Sequence, residues 1–167
     1  MVFSKSVSPD KIFGLLLNRN RFLLMQINYA TINKRALDLL LSTKKHVTSI
    51  DKNLKALIEI RVSQINGCAY CVDLHTAEAR ALSENQQRLD CLIVWKESGL
   101  FSEAEMAALD WAESVTLIAD APDIGKKLQA LLVYFTEAEV VDLTFIVAVM
   151  NSLNRLAISM GDKPSQR

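Results

Sequence analysis

The chain has 167 residues, half of them hydrophobic and 23% charged, a balance that fits one soluble domain long enough to bury a core. Lys plus Arg and Asp plus Glu each number 19, so no net charge draws the chain toward nucleic acid or an anionic membrane surface. Five Gly and three Pro are too few for the closely spaced turns of a sandwich or barrel, which leaves an all-α class: one compact helical bundle over residues 1–167.

The N-terminal MVFSKSVSPDK carries Lys5, Asp10 and Lys11 and has no cleavable apolar run, so a cytoplasmic chain is expected. Residues 9–27 mix apolar and basic side chains and are expected to form one or two short helices. Thr31 is a candidate cap for a helix running to about Lys45, with Ala36, Leu37, Leu40 and Leu41 at helical spacing. Asp51 can cap the next helix, in which Leu54, Leu57, Ile58, Arg61 and Val62 keep the helical period until Asn66-Gly67 breaks it. A further helix is expected from Cys68 through Arg80. Ser83-x-x-Gln86, Ser102-x-x-Glu105 and Thr136-x-x-Glu139 match the capping box and predict helices over 83–96, 102–119 and 136–158. Ala121-Pro122-Asp123 reads as a turn, and 124–133 as a short helix.

The stretch Val140 to Met160 is the most apolar, but Asp142, Asn151, Asn154 and Arg155 within it are costly in lipid. It reads as a buried core helix and not as a membrane span. The basic residues Lys11, Arg19, Arg21, Lys44 and Lys45 are scattered and read as a solvated face. In a reducing compartment the three cysteines are not a disulfide scaffold, and a Cys-x-x-Cys pair points to redox or metal chemistry.

Cys68, Cys71 and His75 carry that signal. In a helix starting near Cys68 their spacings of three and four residues stack all three side chains along one face. Free N–H groups and the helix dipole favour a thiolate in the first turn. His75, one turn deeper, can exchange a proton with Cys71. An attacking thiol, a resolving thiol and a base are the parts that peroxide reduction or disulfide exchange requires. Cys71 is the expected attacking thiolate and Cys68, at an exposed helix start, the resolving thiol; the reverse assignment stays open. A Cys₃His zinc set of Cys68, Cys71, His75 and Cys91 is the metal alternative. Cys91 lies between apolar residues and reads as an inert core thiol. His46 follows two lysines and reads as a helix-end cation. Trp95, Trp111, Phe135 and Phe145 read as core, and Asn151, Asn154 and Arg155 as structural polar contacts.

Ser63-Gln-Ile-Asn-Gly-Cys-Ala-Tyr-Cys-Val-Asp-Leu-His75 resembles the centre of the carboxymuconolactone decarboxylase superfamily, in its AhpD-like (alkylhydroperoxidase D) branch. The likeness continues through Glu105 to Thr116, Phe135 to Leu143 and Asn151 to Arg155, and the redox core spans about 50–120. It implies an all-helical AhpD-like fold, assembly into trimers or hexamers, and a peroxidase or disulfide-reductase site needing no bound cofactor or metal. By that resemblance Cys68 and Cys71 are the redox pair and His75 the proton-relay histidine. A small peroxide and a dithiol or thioredoxin-like reductant are the implied partners. Two positions depart from the pattern. The relay carboxylate twelve residues before the first Cys is replaced by Ala56, with Glu59 one turn later as a possible substitute. Tyr70 stands where the redox members can carry a His. An oligomeric redox sensor or binding protein without efficient turnover remains an alternative, as does a lactone decarboxylase, although that branch does not need the thiol pair.

Overall fold

The structure, a computed structural model, describes residues 26–166. The helices expected over 9–27 lie almost wholly outside them. Among the described residues all regular structure is helical: α1 (Tyr29–Ile32), α2 (Lys34–His46), α3 (Lys52–Asn66), α4 (Ala69–Ala81), α5 (Gln86–Cys91), α6 (Trp95–Ser98), α7 (Glu103–Thr116), α8 (Ile124–Leu131) and α9 (Glu137–Met160), with 3₁₀ turns at Leu92–Val94 and Ile118–Asp120.

Local chemistry sets most of these boundaries. The Asp51 carboxylate accepts from the N–H groups of Asn53 and Leu54 and opens α3. Ser102 and Thr136 form complete capping boxes with Glu105 and Glu139 and open α7 and α9. Gly67 ends α3 at φ 70°, a left-handed conformation that costs a residue with a Cβ about 1 kcal/mol.

Two helix starts differ from expectation. Thr31 falls inside α1, and Asn33 caps α2 through Oδ1. Ser83 sits at φ 64°, which is not N-cap geometry, so its box does not form. Asn85 caps instead, and the helix expected over 83–96 breaks into α5, a 3₁₀ turn and α6.

α3 is the central element and packs on α4, α9 and α7. Leu54, Ile58 and Val62 face a core shared with Leu143, Val147 and Met150 of α9. Leu57 and Ile60 face a second core with Leu89, Leu92, Trp95 and Leu109. Each such side chain contributes about 1.5–3 kcal/mol on burial. A helix covered on two sides has no single apolar stripe. α9 is long and apolar enough to cross a membrane by length and composition. It nevertheless packs on α3, α7 and α2, and eight of its residues are buried, the amide of Asn154 included.

Trp95 and Trp111 are buried, and Phe135 packs on the first core. Phe145 does not join them. It lies half exposed beside Val141 on the outward stripe of α9, because the inward stripe is taken by Leu143, Ile146, Val147 and Met150. Cys91, expected in the core, sits at intermediate exposure at the end of α5.

Candidate active site

Gly67 reverses the chain between α3 and α4, and the Cys68 N–H closes the turn on the Ser63 carbonyl at 2.9 Å. Cys68 is the N-cap of α4, and its sulfur takes the capping acceptor position, 3.3 Å from the Cys71 N–H. Cys71 follows in the first helical turn, where the dipole favours negative charge. The two cysteines are joined as a disulfide, with Cα atoms 5.3 Å apart. Contrary to the expected exposed helix start, Cys68 is 1% exposed and Cys71 3%.

His75 is buried one turn beyond Cys71. Glu59 and His75 lie eight residues before and after Gly67, so the α3–α4 hairpin brings them face to face. Glu59 Oε2 is 3.4 Å from His75 Nδ1, and Glu78 Oε2, one turn along α4, is 2.7 Å from the same nitrogen. With both carboxylates on Nδ1 the ring proton belongs there, which leaves Nε2 as the basic nitrogen. The hydrogen bond from His75 holds the Glu78 carboxyl below its ordinary range, outweighing the opposing effect of burial.

Glu59 is itself buried, and its other oxygen is 2.7 Å from Lys44 Nζ. Lys44 is therefore not part of a solvated face: its side chain is 22% exposed and reaches inward from α2. Ala56 lines the same surface depression as Glu59 and Glu78, so the space its methyl leaves is bordered by both carboxylates. Sequence reasoning missed Lys44 and Glu78. The i, i+3 spacing of His75 and Glu78 is a signal that could have found the second.

A cavity of about 240 Å³ opens against this group. Its α4 wall holds Tyr70, Cys71, Leu74, His75 and Glu78. Tyr29, Leu37, Leu41 and Lys44 close it from α1 and α2, and Met150, Leu153 and Ala157 from α9. Cys71, not Cys68, lines the cavity. Glu59, His75 and Glu78 bring one ligand atom each within 4.8 Å of one another and form a geometry able to hold a cation, although Lys44 already neutralises Glu59. Among the described residues Cys91 joins no such group, so the Cys₃His arrangement is not assembled.

A sequence model of the carboxymuconolactone decarboxylase family matches residues 33–114. The uncharacterized protein YdfG of Bacillus subtilis is 35% identical over 144 residues, covering 85% of this chain and 98% of that one. The chain belongs to the carboxymuconolactone decarboxylase family. A crystal structure from Agrobacterium tumefaciens, of a protein of unknown function named as a candidate antioxidant defence protein AhpD, matches with a TM-score of 0.81 and 32% identity. That match covers 86% of this chain and 99% of its own. The debrominase Bmp8 shares the fold, with a TM-score of 0.70 and 24% identity over 78% of this chain and 69% of its own. The AhpD-like helical fold is thus common to this chain and its relatives, and the family includes enzymes.

Proposed function

We propose that the chain is a thiol-dependent antioxidant oxidoreductase that reduces organic hydroperoxides, or disulfides, in the cytoplasm. The observation that carries this reading is that Cys71 and His75 share one wall of a largely apolar cavity, with His75 Nδ1 held by two carboxylates.

In the reduced protein, His75 Nε2 takes the Cys71 thiol proton. The thiolate attacks the terminal oxygen of the hydroperoxide and the O–O bond breaks. The imidazolium returns its proton to the leaving alkoxide, giving an alcohol and Cys71 sulfenic acid. Cys68 displaces water from that sulfur to form the Cys68–Cys71 disulfide, and an external dithiol or thioredoxin-like protein restores both thiols. The Cys71 N–H aimed at the Cys68 sulfur holds the resolving residue beside Cys71. Tyr70 borders the same cavity and can donate a hydrogen bond to the leaving oxygen.

The apolar leucine and methionine walls suit an alkyl or aryl substituent better than hydrogen peroxide. Exposed Val133, Val141 and Phe145 support self-association, and the family resemblance points to trimers or hexamers.

Alanine at position 56 favours one second reading, a redox sensor that oxidises without efficient turnover. Peroxide consumption with excess dithiol separates the two. Multiple turnovers lost in Cys71→Ser support the enzyme, and a single stoichiometric oxidation supports the sensor.

A further inference from the structure

The cavity over Cys71 is closed on one side by α1 and α2, and neither helix contains a buried residue. Besides the packing of α2 on α9, the Lys44–Glu59 ion pair and the Lys55 Nζ donation to the Lys44 carbonyl, this segment is held at its two ends. At the C-terminal end Val47 and Ile50 enter the core. There the Asp142 carboxylate of α9 accepts from the Thr48 and Ser49 N–H groups, at 3.1 Å each, and from Ser49 Oγ at 2.7 Å. At the other end the fastening is polar. Asp162, just past the end of α9, accepts from Tyr29 Oη at 3.0 Å and Gln26 Nε2 at 2.8 Å, and the Ile27 N–H donates to the Met160 carbonyl at 2.9 Å. Tyr29 is also a cavity wall residue.

We propose that Tyr29 and Asp162 form a latch that controls which molecules reach Cys71, with α1 and α2 as a lid hinged at residues 47–50. The two ends differ in kind: an apolar anchor in the core does not open without unfolding, whereas hydrogen bonds at a half-exposed end exchange with water at small cost. Cys68 and Cys71 are at most 3% exposed, so a reagent larger than the cavity meets Cys71 only with the lid displaced. Opening also withdraws Lys44 from Glu59, so the relay beside His75 is complete in the closed state. The proposal rests on reading Cys68 and Cys71 as the reactive pair. It does not require that their substrate be a peroxide.

The test is alkylation of the fully reduced, full-length protein by N-ethylmaleimide and by a bulky polyethylene-glycol maleimide, followed residue by residue by mass spectrometry. Cys91, outside the lid, serves as an internal reporter of general loosening. Tyr29→Phe, which removes one hydroxyl, is expected to speed bulky labelling at Cys71 about tenfold, the effect of one charge-assisted hydrogen bond on an opening equilibrium. Asp162→Asn is expected to do at least as much, and Cys91 labelling is expected to stay constant in both. Unchanged labelling at Cys71 in both variants, or Cys91 rising in parallel, overturns the latch. Absence of peroxide turnover with these labelling ratios intact would count against the peroxidase reading and leave the latch standing.

Discussion

Glu59 and His75, equidistant in sequence from Gly67, meet across the α3–α4 hairpin with Oε2 3.4 Å from Nδ1. Glu59 is the only one of the two carboxylates on His75 that is buried, since Glu78 is half exposed. Glu59→Gln is therefore expected to lower the rate of Cys71 oxidation by peroxide about tenfold, and Glu78→Gln by less. The same change strips the largely buried Lys44 of its partner and is expected to cost about 1–3 kcal/mol of stability. Stopped-flow oxidation and urea unfolding measure the two effects separately.

Asn154 is fully buried and links α9 to α3, donating to Ser63 Oγ at 3.1 Å and accepting from Asn66 Nδ2 at 2.9 Å. Asn154→Ala leaves the buried Ser63 hydroxyl short of a donor and is expected to cost about 1–3 kcal/mol in urea unfolding. Asn151→Ala is expected to cost less, because Asn151 is only partly buried and its carbonyl oxygen also serves the exposed Arg155.

Those asparagines mark the boundary of what the amino-acid sequence makes legible. Their polarity within an apolar helix signals structural contacts, whereas the partners Ser63 and Asn66 emerge only from helix packing. Features governed by near neighbours are legible: the Asp51, Ser102 and Thr136 caps, the Gly67 break, and the stacking of Cys68, Cys71 and His75. Features governed by distant ones are not. The Ser83 box matches in composition, but the backbone there sits at φ 64° and Asn85 takes the cap instead. Phe145 has the right period and the wrong face. Lys44 reads as solvated because its partner Glu59 lies on another helix. Glu59 itself is legible as a candidate from its position one turn after Ala56.

Acid should weaken the fold in a defined window. Burial raises the Glu113 carboxyl, but hydrogen bonds from Trp95, Lys96 and Arg61 outweigh it and hold the value below the ordinary 4.5. Glu105 is likewise lowered, with burial opposed by Arg88 and Ser102. A depressed carboxyl contributes stability that is present above 4.5 and lost as pH falls through the lower folded value. The thermal midpoint is therefore expected to be flat from pH 7 to about 5 and to drop below 4.5. Glu113→Gln should lower the midpoint at pH 7 and flatten that drop; equal drops in both proteins would contradict the assignment.

The Tyr29 hydroxyl is pushed up to about 12 by burial, then by its hydrogen bond to Asp162 and that residue's charge. A raised value stabilises the neutral, donating form. Its contribution is complete below the ordinary 10 and lost as pH rises through about 12. Ultraviolet phenolate titration of wild type minus Tyr29→Phe is expected to isolate a tyrosine ionising near 12. A difference curve centred on 10 would mean that the bond to Asp162 does not form.

In the proposed reaction the Cys68–Cys71 pair, relayed by His75, reduces an organic hydroperoxide bound in the cavity. The most direct measurement is consumption of cumene hydroperoxide by the purified protein with excess dithiol, in wild type, Cys71→Ser and Cys68→Ser. Repeated turnover is expected in wild type and none in Cys71→Ser, whereas Cys68→Ser turns over only as fast as the added dithiol itself attacks the Cys71 sulfenic acid. Turnover that persists at the wild-type rate in Cys71→Ser would contradict it.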